Sequence, residues 1–183
     1  MGYEPFVRDA LAGQAEVWGP PTNGSHTVNV LINLHAWVLN RHADVVHINA
    51  GLHDLKTVVY DGRANVVPVE HYARNVEVML QTIRRHVPAA KLIWALTTPV
   101  HDDRAHAAHA NAKDFDRFDS DVRRYNDAAR TICEPLDIRI NDLYSVVCSA
   151  GLERVLRDDG VHYTQDGYQL LAKKVSQAVR EAW

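Results

Sequence analysis

Cysteine is scarce in this sequence, and long apolar runs are absent. The two cysteines, Cys133 and Cys148, have neither the close spacing of metal ligands nor the density of a disulfide scaffold. We interpret them as small core residues. No segment is long and apolar enough to span a bilayer, and the charged N-terminus MGYEPFVRDAL does not resemble the apolar part of a signal peptide. These absences predict a soluble protein, cytoplasmic by default.

The sequence also lacks clustered positive charge. Its formal net charge is -3, and Lys and Arg are spread along the chain rather than gathered in one stripe or beside an apolar segment. Nucleic acids and membrane surfaces attract clustered positive charge, so neither is an expected partner. The expected partner is a small molecule.

Length and apolar patterning indicate one α/β domain. The chain has 183 residues, 46% of them hydrophobic, which is enough for one buried core, and we assign residues 1–183 to a single domain. Continuously apolar runs alternate with segments of helical periodicity, as in parallel sheets with crossover helices. The predicted strands are residues 15–19, 43–50, 91–98 and 137–142. The predicted helices are residues 3–12, 26–40, 69–87, 117–133 and 165–182, the last with Thr164 as its N-cap.

The pattern Asp-x-x-His occurs three times, whereas about one copy is expected by chance in a chain of this composition. In the first copy, Asp44 and His47 straddle the start of a strand, where residues three apart point to opposite faces. In the second, Asp103 and His106 lie in an Ala/His-rich stretch, residues 101–114, that we interpret as a solvated loop or loose helix. Neither copy is expected to form a catalytic pair.

The third copy, Asp159 and His162, lies in a glycine-containing turn before the last helix. In parallel α/β sheets, loops of this kind are where ligands collect. The carboxylate could there hold the imidazole in one tautomer and support its charged form, as a general base requires. The alternative is an Asp-Gly turn without a catalytic role.

The stretch HINAGLHDLK, residues 47–56, marks a second candidate segment. Its apolar strand ends at Gly51, and His53 and Asp54 follow in the loop at the carboxyl end of the strand, where a parallel sheet presents polar groups to a ligand. Gly51 allows a sharp turn, and His53 can offer a ring N–H. The alternatives are an ordinary strand-to-loop glycine and an aspartate that caps a helix.

Together these stretches resemble the SGNH hydrolases, also called GDSL-like lipases and esterases, over most of the chain. Residues 159–162, DGVH, are similar to the family's fifth block, Asp-x-x-His, and residues 51–54, GLHD, look like a variant of its third block, Gly-x-Asn-Asp. The segment PPTNGSHT resembles the second block, whose glycine corresponds to Gly24, and TTPVHDD and RRYNDAA resemble segments between blocks three and five. The resemblance implies a three-layer α/β/α fold with a mostly parallel, flavodoxin-like sheet.

The resemblance also implies hydrolysis of carboxylic esters, such as short-chain acyl esters, aryl esters or acetylated carbohydrates. His162 would act as the base and Asp159 would orient its ring. The N–H of Gly24 and the ring N–H of His53 would bind the oxyanion, and Gly51 and Asp54 belong to the same oxyanion and substrate-binding group. No cofactor is implied. No metal site is expected either, because the histidines near residues 101–109 lie in a stretch too loosely built to hold a metal ion.

One family block has no counterpart in this sequence. The first block, Gly-Asp-Ser, supplies the nucleophile, and no serine of this chain has that context. Ser25, the only serine within a family block, is the candidate substitute nucleophile, with a helix N-cap as its alternative role. Otherwise His162 and Asp159 would activate water directly. A non-catalytic relative that binds an ester or carbohydrate, and a shortened form of an active esterase, remain alternatives.

The first strand of the family, which carries that block, has no counterpart in this sequence either. In the family it lies inside the sheet, beside the strand that corresponds here to residues 43–50. Its absence would leave unpaired N–H and C=O groups along that strand. We predict either that residues 15–19 pair directly with residues 43–50, or that a second chain, in a homo-oligomer, covers the exposed edge.

Overall fold

The computed structural model describes residues 2–58, 63–110 and 115–183. Its strands are β1 (Val45–Asn49), β2 (Thr57–Val58), β3 (Ala64–Asn65), β4 (Lys91–Ala95), β5 (Phe115–Asp116) and β6 (Arg139–Asn141). Its α-helices are α1 (Glu4–Ala10), α2 (Thr27–Leu34), α3 (Val69–His86), α4 (Asp102–His109), α5 (Asp119–Cys133), α6 (Leu143–Ala150), α7 (Leu152–Val155) and α8 (Gln165–Arg180). A π-helical segment, His35–Leu39, extends α2.

The central sheet is parallel, with strand order β1-β4-β6. Ile48 of β1 is level with Trp94 of β4, which in turn is level with Ile140 of β6. Trp94 is fully buried, as expected for a central strand that is covered on both faces. The runs of β-branched residues in β1 therefore form the strand that the sequence predicts.

Helices cover both faces of this sheet and make the three-layer α/β/α fold that the sequence predicts. Val46 and Trp94 pack in one core with α3 and α5, whereas Val45 and Ala95 pack in a second core with α1 and α8. Neighbouring strand residues thus point to opposite layers, as the period of two in a strand requires. The carboxyl ends of β1 and β4 both lead into loops at one rim of the sheet.

The strand predicted at residues 15–19 is not formed. This segment is irregular, and within the described residues β1 pairs only with β4. Two features explain the difference: the carbonyl oxygen of Val17 accepts a hydrogen bond from Nε of Arg8 at 3.1 Å, and Pro20 and Pro21 follow without an N–H for a ladder. Covering of this edge by a second chain stays a prediction.

Helix prediction succeeds where the apolar stripe is long. The five predicted helices correspond to α1, α2 with its π-helical extension, α3, α5 and α8, and the Thr164 side chain caps α8 by accepting from the N–H of Gly167 at 3.2 Å. The Ala/His-rich stretch forms α4, and its last part, residues 111–114, lies outside the described residues. No helix in the described parts of the chain is long and apolar enough to cross a membrane.

Some elements carry no readable sequence signal. Strands β2, β3 and β5 form a small antiparallel sheet. Each of these strands has two residues, which is too short to show an alternating pattern in the sequence. Helices α6 and α7, which pack near α8, were also not predicted. Cys133 is buried as expected, whereas Cys148 is exposed, because it lies on the outer side of the short helix α6.

Candidate active site

The pair Asp159 and His162 forms a hydrogen-bonded dyad. Nδ1 of His162 lies 2.8 Å from Oδ2 of Asp159, while Oδ1 of Asp159 accepts from the backbone N–H groups of Val161 at 2.9 Å and His162 at 2.8 Å. Both carboxylate oxygens are therefore occupied, and the carboxylate cannot rotate without breaking one of these bonds. The dyad is built by the turn itself, without help from a distant residue.

Gly160 makes this turn possible. Its φ of 68° lies in the left-handed region, and a Cβ at this position would meet the backbone oxygen of His101 at 2.6 Å and the backbone nitrogen of Ala105 at 2.7 Å. The N–H of His101 also donates to the carbonyl oxygen of Gly160 at 2.9 Å. The turn is thereby fixed against the start of α4.

The electrostatics of the dyad favour an ionised carboxylate. Partial burial alone would raise the pKa of Asp159, but hydrogen bonds from the N–H groups of His162 and Val161, and from the His162 ring, outweigh it and lower this pKa. An ionised Asp159 accepts from Nδ1–H, which leaves Nε2 of His162 as the proton-accepting nitrogen. The His162 side chain is 64% exposed, so this nitrogen is open to solvent and ligand.

The loop after β1 approaches the dyad with a second imidazole. Gly51 has a φ of 144°, and a Cβ there would lie 2.5 Å from Oγ1 of Thr97, so the tight turn requires glycine. Burial lowers the pKa of the half-buried His53 to about 4, and the charges of Lys56, Arg117, His26 and His162 lower it further. His53 is therefore neutral near pH 7 and has one N–H to donate. The segment after β4 contacts both loops, because Thr97 lies against Gly51 and the N–H of His101 donates to the carbonyl oxygen of Gly160, so the two loops lie at the same rim.

Asp54 faces the interior rather than a ligand. It is fully buried, and its carboxylate accepts from the N–H of Thr27 at 3.0 and 3.1 Å and from Oγ1 of Thr27 at 2.5 Å. Burial raises the pKa of Asp54 even though these hydrogen bonds lower it. Asp54 thus lies in the interior, bonded to Thr27, and its place in the substrate-binding group stays a prediction. It ties the start of α2 to the loop after β1.

The segment that holds Gly24 and Ser25 leads into α2. The N–H of Ser25 donates to Oδ1 of Asn23 at 2.8 Å, and Ser25 has a φ of 54°. His26, not Ser25, is the N-cap of α2, because its Nδ1 accepts from the N–H of Asn29 at 3.3 Å. The structure records no hydrogen bond between the described Ser25 and His162. The residue after His26, Thr27, donates to Asp54 from its N–H and its hydroxyl, so this segment borders the loop after β1.

Two buried residues that the sequence analysis did not identify, Tyr72 and Asn126, hold the ends of the strands by hydrogen bonds. The hydroxyl of Tyr72 donates to the carbonyl oxygen of Ala50 at 3.1 Å. Asn126 forms two bonds to the backbone of Thr97, accepting from its N–H at 2.8 Å and donating to its carbonyl oxygen at 2.8 Å. The available signal was a polar residue on the apolar stripe of α5. These bonds fix the backbone directly before both rim loops.

The other two Asp-x-x-His copies do not form pairs. His47 contacts Asn141 through Nε2 at 3.0 Å, and burial lowers its pKa to about 4. His106 binds Asp116, not Asp103, through Nδ1 at 2.6 Å. Across the described ranges, no three His, Cys, Asp or Glu side chains are grouped to hold a metal ion.

Comparisons with known proteins agree with the three-layer fold. Residues 7–170 match the GDSL-like lipase/acylhydrolase family. A GDSL esterase/lipase of Arabidopsis thaliana is 27% identical over 125 residues, which cover 64% of this chain and 51% of that protein, so the match spans about half of that relative. The crystal structure of the lipase/acylhydrolase from Enterococcus faecalis is similar with a TM-score of 0.75, 21% identity, and coverage of 98% of this chain and 85% of that one. That of an acetyl xylan esterase has a TM-score of 0.73, 18% identity, and coverage of 97% and 90%.

Proposed function

The chain belongs to the GDSL-like lipase/acylhydrolase family, and from that premise we propose that it hydrolyses carboxylic esters with His162 as the general base. The observation that carries this proposal is the dyad, in which the 2.8 Å bond to Asp159 fixes Nδ1 of His162 and leaves Nε2 open. A base needs this arrangement, because one nitrogen must be held while the other moves a proton.

The proposed reaction uses water as the nucleophile. Nε2 of His162 takes a proton from a water molecule as the water oxygen bonds to the ester carbonyl carbon. The resulting oxyanion accepts hydrogen bonds from the N–H of Gly24 and the ring N–H of the neutral His53. The tetrahedral intermediate then breaks its bond to the alcohol oxygen, which receives the proton from His162. Asp159 stabilises the imidazolium between these two steps.

The proposed substrates are short-chain acyl esters, aryl esters and acetylated carbohydrates. The exposure of His162 supports a shallow, open site that bulky alcohol groups could approach. Similarity to an acetyl xylan esterase supports acetylated carbohydrate as one substrate class. A site without a serine nucleophile would accelerate hydrolysis about 10³–10⁴-fold over the uncatalysed reaction, which is slow compared with an intact serine triad.

Hydrolysis of 4-nitrophenyl acetate by the purified wild-type chain tests this function. We expect turnover that exceeds buffer and an equal concentration of free imidazole by at least about tenfold. A rate equal to that of free imidazole, together with measurable binding of the ester, would instead support the non-catalytic binding protein.

The Ser25→Ala variant tests whether the chain's own candidate serine is the nucleophile. We expect its kcat/KM for 4-nitrophenyl acetate to stay within about threefold of wild type, because Ser25 forms no recorded hydrogen bond with His162. Ser145→Ala is the matched control, since Ser145 lies in α6, away from the dyad. A loss of about 100-fold or more in Ser25→Ala alone would make Ser25 the nucleophile and exclude direct attack by water.

A further inference from the structure

The guanidinium of Arg117 is buried beside the candidate active site. Arg117 directly follows β5 and is 7% exposed. Its Nε donates to the carbonyl oxygen of Leu52 at 3.1 Å, and Leu52 directly precedes His53. In the described part of the chain, no carboxylate forms an ion pair with this guanidinium. A buried cation is costly unless an anion accompanies it, so Arg117 needs an explanation.

One edge of the guanidinium is held and the other is open. Nη1 lies 3.5 Å from Nε2 of His109, and the guanidinium lies over the Phe115 ring, 4.9 Å from its centre. Nη2 has no acceptor among the described residues and is not sealed from solvent. Stacking and the bond to Leu52 therefore orient the group, while Nη2 keeps N–H donors for a ligand.

The nearest carboxylates are engaged elsewhere. Asp116 accepts from Nδ1 of His106 at 2.6 Å and from the N–H of Arg117 at 2.8 Å, while both oxygens of Asp159 are occupied within the dyad turn. Burial lowers the pKa of Arg117 to about 10, and the charges of Asp159 and Asp116 act in the opposite direction. Arg117 therefore stays cationic near pH 7.

Arg117 also lies within electrostatic reach of both candidate catalytic loops. Its Nε holds the carbonyl oxygen of Leu52, the residue before His53, and its charge acts on both His53 and Asp159. An anionic group bound by Nη2 would thus lie next to an ester held between His53 and His162. A guanidinium suits carboxylate and phosphate equally, because both present paired oxygens to its N–H groups.

We propose that Arg117 binds a carboxylate or phosphate group carried by the ester substrate, so that the site selects anionic esters. This proposal rests on the proposed function and adds the substrate class to it. The anionic group would accept hydrogen bonds from Nη2 while the ester carbonyl faces Gly24 and His53.

Three acetate esters that differ in one substituent test the proposal. They are the esters of 3-hydroxybenzoate, 3-hydroxyphenyl phosphate and the neutral 3-hydroxybenzamide. We expect wild-type kcat/KM to be at least about tenfold higher for one anionic ester than for the amide, and the preferred anion identifies carboxylate or phosphate. Arg117→Gln should abolish this preference, so that the three esters are hydrolysed with similar kcat/KM values. Arg117→Lys should retain part of the preference.

Arg74→Gln is the matched control, because Arg74 is exposed on α3 and pairs with Glu77. It should leave the preference for anions unchanged. Equal rates of the wild type on all three esters would overturn the proposal. If Arg117→Gln lowered kcat/KM by the same factor for all three esters, the proposal would also be overturned, because Arg117 would then only support the Leu52 backbone.

Binding of the three phenols that these esters release separates this proposal from the proposed function, because it is measured without hydrolysis. Calorimetry should show 3-hydroxybenzoate or 3-hydroxyphenyl phosphate binding wild type at least about tenfold more tightly than 3-hydroxybenzamide, with the difference lost in Arg117→Gln. Binding selectivity without ester hydrolysis would retain the anion site and reject the esterase. Hydrolysis of the neutral ester without selective binding of either anion would retain the esterase and reject the anion site.

Discussion

The His162→Ala variant is expected to hydrolyse 4-nitrophenyl acetate with a kcat/KM at least about 100-fold below that of wild type. The variant loses the nitrogen that takes the proton from water and returns it to the leaving alcohol. The proposed oxyanion donors, Gly24 and His53, would remain, so a small residual rate should persist. A 100-fold loss corresponds to about 2.7 kcal/mol of transition-state stabilisation.

Asp159→Asn separates the orienting role from that of the base. Its amide can no longer carry the negative charge that supports the imidazolium, and it can favour the wrong tautomer of His162. We expect a loss of roughly tenfold or more in the same assay, with folding preserved because the amide oxygen can still accept from the Val161 and His162 N–H groups.

His71→Ala controls for the removal of a histidine in itself, because His71 is exposed on α3. It should have wild-type activity. If His162→Ala retained more than about a tenth of the wild-type rate, with His71→Ala unchanged, the dyad would not be the base and the proposed mechanism would be wrong.

Local sequence was sufficient to predict the parts of the fold that depend on burial pattern. Strand β4 and helix α8 are both marked by apolar residues at the spacing their geometry requires. The segment at residues 15–19 was mistaken for a strand because a short run with Val17 and Trp18 has the right composition. Whether it joins a ladder depends on partners, and Pro20 and Pro21 weaken that ability.

In the candidate site too, local contacts could be predicted from the sequence and long-range contacts could not. The contacts of the Asp159–His162 dyad all lie within one turn, so the sequence spacing was enough to predict them. The contact between Asp54 and Thr27 was not predicted, because the two residues are 27 positions apart in the sequence. Arg117, which contacts Leu52 across 65 residues, carries no local signal at all. Contacts of this kind depend on how the layers pack, and one sequence does not encode them in any short pattern.

The buried position of Asp54 predicts the largest effect on stability. Asp54→Ala is expected to lower the free energy of unfolding by about 3–5 kcal/mol. The substitution removes the acceptors of the Thr27 N–H and hydroxyl, and Thr27 is itself fully buried, so water cannot replace them without opening the structure. Asn75, which donates to Oγ1 of Thr27 at 2.9 Å, would lose an oriented partner as well. Urea denaturation measures the change.

Two comparisons separate this network from the general effect of removing an aspartate. Asp142→Ala deletes the N-cap of α6, which is partly exposed and accepts from the N–H of Ser145 at 2.9 Å, and should cost only about 1 kcal/mol. Asp54→Asn should cost less than Asp54→Ala, because it keeps one acceptor oxygen and removes a charge that burial disfavours. An Asp54→Ala variant as stable as Asp142→Ala would show that the Thr27 bonds do not hold the two loops together. The segments that contain Gly24 and His53 would then need a different support, since the Asp54–Thr27 bonds connect these segments directly.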